Sequence, residues 1–275
     1  MASIKKIYSF SNKRNIWRLI PSEYGYLVIE ERDLKSKQVY FNCLKTEDGK
    51  VYFKDFQLEE KYWIGIENIY KNMIFFHKFR KPDMPGHRGI YVFDILSQKL
   101  IWQNDDLIFL LVKDDKIYAY QPTFEGRQYF LLDSITGEII KDLNAELDEI
   151  NKLREESIRN DFVNSFLFSK TFNPNKANSD VVEIISRSLA DRKILGSIKW
   201  LKLYDYFMFS FNEENSNGTF SSYFKVFDIV KNKIVMNETL NSKSKNLVFE
   251  SFFISGELLF LLVEKTKLVV YRIIQ

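Results

Sequence analysis

Apolar and polar positions alternate in short runs along most of this chain, and the runs come in pairs around tight turns. The clearest pair is FLLDSITGEII at 130–140, where Gly137 holds a turn position suited to positive φ. The same pattern recurs in NCLKTEDGKVY (42–52) with Gly49, YVFDILSQKLI (91–101) with Gln98, and KVFDIVKNKIV (225–235) with Asn232. A weaker copy, ISRSLADRKIL (185–195), puts Arg192 there. Gly and Asn suit a left-handed turn position better than Gln or Arg do. Three copies carry an aspartate at the end of their first run: Asp94, Asp133 and Asp228. A carboxylate there can accept hydrogen bonds from the turn it opens, so a structural role outweighs a catalytic one.

Another pair of strand-like runs follows the first and second hairpins, at 62–77 and 106–121, and three more runs lie near the end, at 247–273. Each repeat is therefore four strands, A to D, and four antiparallel strands every 40–50 residues or so is the pattern of a propeller blade. Trp17, Trp63 and Trp200 open presumed A strands and are expected to be wedges between blades. Five C–D hairpins imply five blades, and a sixth begins near residue 246 but lacks its last strand. The N-terminal run IKKIYSF (4–10) is the expected replacement, closing a ring. The expectation is an all-β, six-bladed β-propeller in a single domain over 1–275, with five blades as the alternative. One helix is expected near 143–158, because Leu143, Leu147, Ile150 and Leu153 share a helical face. Asp142 or Asn144 is its expected cap, and the blander role is a lid packed on the ring.

Composition narrows the function classes. The chain is 45% hydrophobic and 16% aromatic, enough for a large core. Its formal charge of +3 comes from interleaved acids and bases, with no basic stripe for nucleic acid. The apolar run LLFLLV (258–263) is far short of a membrane span, and the N-terminus has no apolar signal region, so the cytoplasm is the expected location. The single Cys43 excludes an intrachain disulfide and reads as a small buried hydrophobe.

The hairpins FDILSQKLIW (93–102) and LLDSITGEII (131–140) resemble the repeats of quinoprotein-type (PQQ-repeat-like) propellers. That resemblance implies a scaffold and no activity, since the cofactor ligands of the quinone dehydrogenases are not matched. The whole chain also resembles an uncharacterised bacterial family known only as a domain of unknown function.

Long B–C connections at 78–89, 121–128 and 212–222 share one face of such a scaffold with the D–A connections. The candidate binding residues there are Glu30, Arg32, His77, Arg80, Asp83, His87, Arg88, Glu125 and Arg127. A metal set could be drawn from Glu30, Asp83 and His87, but their spacing is no metal motif, so no metal ligand and no cofactor is assigned. Two histidines ten residues apart more often serve structure. The leading expectation is a non-enzymatic binding scaffold for a protein or small-molecule ligand. The alternative is a metal-assisted hydrolase or lactonase using acids and histidines on that face.

Overall fold

The computed structural model describes residues 3–80, 86–144, 146–163, 166–190, 192–248 and 251–274. It opens with β1 (Ser3–Phe10) and then builds three antiparallel meanders whose strands pair in chain order. The first is β2 (Asn15–Pro21), β3 (Tyr26–Asp33), β4 (Gln38–Lys45) and β5 (Val51–Phe56). The second is β6 (Ile64–Tyr70), β7 (Met73–Phe79), β8 (His87–Asp94) and β9 (Lys99–Asn104). The third is β10 (Ile108–Lys113), β11 (Lys116–Thr123), β12 (Gly126–Asp133) and β13 (Ile139–Asp142), followed by α1 (Leu147–Val163). Together they form one compact unit, Arg14–Asn164.

Within this unit the meanders pack face to face. Val28, Phe41, Cys43 and Phe53 of the first meet Ile64, Ile66, Phe76 and Phe93 of the second. Phe75, Ile90 and Val92 of the second meet Phe109, Ile117 and Leu132 of the third. Trp102 adds a specific joint. Its indole N–H donates to Ser134 O at 3.0 Å, and its ring lies where a Cβ on Gly137 would come within 2.6 Å. Gly137 also has φ +74°, so the glycine serves both the turn and the close approach.

The second compact unit is Met1–Lys13 with Ser165–Gln275. It contains β14 (Phe166–Phe168), β15 (Lys170–Thr171), α2 (Ser179–Ser188), β16 (Ile194–Leu203), β17 (Tyr206–Glu214), β18 (Phe220–Asp228) and β19 (Lys233–Ser244). It ends in β20 (Phe252–Ser255), β21 (Leu258–Val263) and β22 (Lys267–Ile274). One sheet has the order β15-β16-β17-β18-β19 and the other β1-β22-β21-β20-β14. Their shared core includes Met208, Phe224 and Leu240 against Phe252, Leu259 and Ile273. The N-terminal run forms β1, which pairs antiparallel with β22 from Ser3↔Ile274 to Phe10↔Leu268.

The hairpin geometry follows the sequence closely. Gly49, Gln98, Gly137 and Asn232 all have positive φ. Asp94 accepts the Ser97 N–H at 2.6 Å, Asp133 the N–H groups of Ile135 and Thr136 at 2.9 and 2.8 Å, and Asp228 the Lys231 N–H at 2.8 Å.

Three expectations need correction. The sheets number five among the described residues, not six, because the weak hairpin at 185–195 is not one. Its first half belongs to α2, where Val181, Ile184 and Ile185 recur at helical spacing and pack with Leu189 on Phe207, Phe209 and Phe211. Among the described residues this region therefore carries two helices rather than one. The first begins at Leu147 rather than 143. Asp142 accepts the Asn144 N–H and Asn144 accepts the Tyr129 N–H, so both hold a turn before the helix. Leu143 and Ile150 still bury together against Leu131. Finally, Trp17 is 57% exposed, lifted out by a bulge in the β2–β3 ladder, and is no wedge.

Candidate functional site

The chemistry-bearing side chains of the first unit gather around β6, β7 and β8. The β6–β7 ladder pairs Gly65 with His77 and Ile66 with Phe76, then skips to Asn68 and Phe75. Glu67 is thus the extra residue of a bulge, a device that re-aims a side chain. The β7–β8 ladder is irregular beside it, between Phe76 and Lys78. The outcome is a cluster of Glu67, His77 and His87.

One carboxylate oxygen, Glu67 Oε1, lies 2.6 Å from His87 Nδ1 and 3.0 Å from His77 Nδ1. The two imidazoles stack in parallel, with centroids 3.6 Å apart and planes 9° apart. The Phe79 ring stands edge-on to both. His77 is 3% exposed, whereas His87 is half-buried. Gly65 makes room for the pair: a Cβ there would fall 2.9 Å from His77 Cε1 and Nε2. Burial resists ionisation of Glu67, but its polar contacts with His77 and His87 outweigh that and hold its pKa at about 2. For His77, burial wins over the Glu67 carboxylate and moves its pKa below the usual imidazole value. At neutral pH the cluster is therefore one carboxylate with a neutral buried imidazole beside it.

Next to it runs a buried ion network. Glu30, fully buried, accepts from Arg18 Nε at 2.8 Å and from Arg32 Nε at 2.7 Å. Arg32 also donates to Tyr62 O and Ile64 O, at 3.0 and 2.7 Å, and Arg18 to Ile66 O at 3.2 Å. Glu31, equally buried, meets Arg14 at 3.0 Å and Asn42 at 3.1 Å. These charges tie the first meander to β6 through side-chain–backbone bonds.

A cleft of about 490 Å³ opens at the connections of the second and third meanders, lined by Arg80, Arg88, Asp105, Asp106, Ile108, Gln121 and Pro122. Arg88 Nε donates to Asp105 O at 3.1 Å. The Asp105 carboxylate accepts from the Tyr91 hydroxyl and lies 3.5 Å from Lys78 Nζ. Those contacts, the Tyr91 hydrogen bond foremost, push its pKa down.

The candidates read from sequence therefore divide. His77 and His87 come together, and Arg80 and Arg88 line one cleft. Glu30 and Arg32 face each other in the buried network. Glu125 and Arg127 are exposed at the β11–β12 turn, with the Arg127 guanidinium 4.6 Å over the Tyr120 ring. Asp83 lies outside the described residues. Glu67 was missed, since in WIGIENIY it reads as an ordinary strand position and a bulge has no local signature.

Residues 20–102, which cover most of the first two meanders, match the model of a domain of unknown function (DUF4905). No curated protein matches the sequence. Among solved structures, an uncharacterized protein from Listeria monocytogenes EGD-e is similar over 92% of this chain and 76% of its own, at 11% identity and TM-score 0.35. The β-propeller domain of the Trilobed protease from Pyrococcus furiosus is similar over 96% and 72%, at 11% identity and TM-score 0.32. The acylaminoacyl peptidase of Pyrococcus horikoshii is similar over 93% of this chain and 36% of its own, at 11% identity and TM-score 0.32. This chain thus spans about a third of that peptidase's length.

Proposed function

We propose that the five sheets are the blades of a single β-propeller and that the protein is a non-catalytic cytoplasmic scaffold binding a small anionic ligand on its loop face. The repeat of four-stranded meanders in chain order supports the architecture, as does the β1–β22 pairing that completes the last sheet. A free, buried Cys43 suits a reducing compartment.

The observation that carries the ligand reading is the pairing of Arg80 and Arg88 on one cleft of about 490 Å³. Two acids, Asp105 and Asp106, also line the cleft, but Lys78 lies 3.5 Å from Asp105 and offsets its charge, so the two guanidiniums outweigh the remaining acid. Guanidinium pairs favour carboxylate or phosphate groups, which they grip through two hydrogen bonds at a time. The volume suits a compact metabolite rather than a polymer.

The test is a thermal-shift panel of mono- and dicarboxylates and phosphate monoesters on the full chain. At least one probe should raise Tm in the wild type and lose that effect in Arg80→Ala/Arg88→Ala. A panel without any shift, or shifts unchanged in the double variant, contradicts the reading.

A further inference from the structure

We propose that Glu67, His77 and His87 form a site for one divalent cation of the zinc type. The donor set is the first support: two imidazoles and a carboxylate whose ligating atoms all lie within 4.8 Å of one another. Sets with two imidazole nitrogens suit zinc and neighbouring transition metals, whereas magnesium and calcium prefer oxygen alone.

The second support is the state of His77. It is 3% exposed, and neither of its ring nitrogens has a hydrogen-bond partner among the described residues. The 3.0 Å approach of its Nδ1 to Glu67 is short but misaligned for a hydrogen bond. A buried imidazole kept for packing alone normally satisfies at least one nitrogen. A metal ion would satisfy one here.

The third is the effort of the backbone around it. The Glu67 bulge turns a carboxylate toward two histidines from neighbouring strands, and Gly65 leaves the space that the His77 ring fills. Arg18 lies near His77, yet its Nε is bound to the buried Glu30 carboxylate at 2.8 Å, which offsets its charge against an incoming cation. Three protein donors leave one coordination position for water or a ligand. Zinc–nitrogen bonds are about 2.0–2.1 Å long and lie in the ring plane, so binding turns the half-exposed His87 out of its stack on His77. None of the three residues lines the Arg80–Arg88 cleft, so this site stands apart from the ligand reading.

The test uses chelator-treated full-length protein titrated with zinc chloride by calorimetry, and with cobalt chloride by visible absorption. One equivalent should bind, with the absorption of a tetrahedral cobalt site. His87→Ala is the first variant, since a half-exposed ring at the start of β8 can be removed with little effect on folding. Glu67→Gln keeps the shape of the carboxylate and is the second. Each should weaken binding by more than the roughly 10–100-fold typical of losing an outer-shell partner, with unchanged circular dichroism. Absence of saturable binding overturns the proposal. So does binding of equal strength in wild type, His87→Ala and Glu67→Gln.

Discussion

Gly137 shows how one residue can serve a turn and an interface together. It has φ +74°, and the Trp102 ring occupies the place of its missing Cβ. Gly137→Ala should cost about 2–4 kcal/mol in denaturant unfolding, combining left-handed strain with overpacking. Trp102→Phe keeps a ring but loses the bond to Ser134 O, and should cost about 1 kcal/mol. The turn aspartates set the acid limb of stability. Asp133 is held below the ordinary aspartate value first by the Thr136 N–H, and Asp228 by the Lys231 N–H. Their contribution is complete above the unfolded pKa, about 4, and is lost as pH falls through the lower folded values. Tm should therefore fall below about pH 4, less steeply in Asp228→Asn. Burial pushes the Cys43 thiol up to about 12, so alkylating reagents should modify it only when the chain unfolds. At this scale sequence was a good guide wherever the physics is local. Asp94, Asp133 and Asp228 bind turns a few residues away, which spacing reveals. Glu67 joins histidines ten and twenty residues on through a bulge, which spacing does not.

Four hairpins were legible from alternation around a tight turn, whose residues Gly49, Gln98, Gly137 and Asn232 all take positive φ, Gln98 against its own preference. The fifth failed for a physical reason. In VVEIISRSL the apolar positions 181, 184, 185 and 189 fall at helical spacing, a pattern that the hairpin alignment over 185–195 cuts through, and they pack on the aromatic face of β17. The N-terminal strand was legible by elimination, as a run with no neighbour to pair with, and it lies against β22. Deleting residues 1–10 bares the β22 edge and should cost on the order of 3 kcal/mol, read as a lower urea midpoint. An unchanged midpoint would mean that β1 adds nothing to the sheet it completes.

The proposed single propeller has to be reconciled with a chain that divides into the units Arg14–Asn164 and Met1–Lys13 with Ser165–Gln275. The second unit draws on both chain ends, because β1 pairs with β22, whereas the first is one continuous segment. The tryptophans are placed to distinguish the cases: Trp17, Trp63 and Trp102 belong to the first unit, and Trp200 to the second. The most direct test follows urea unfolding in two variants, one keeping only Trp102 and the other only Trp200, with circular dichroism alongside. A single ring predicts fluorescence and dichroism transitions that coincide in both proteins. Separate midpoints for Trp102 and Trp200 would show two independently folding units and contradict the single propeller.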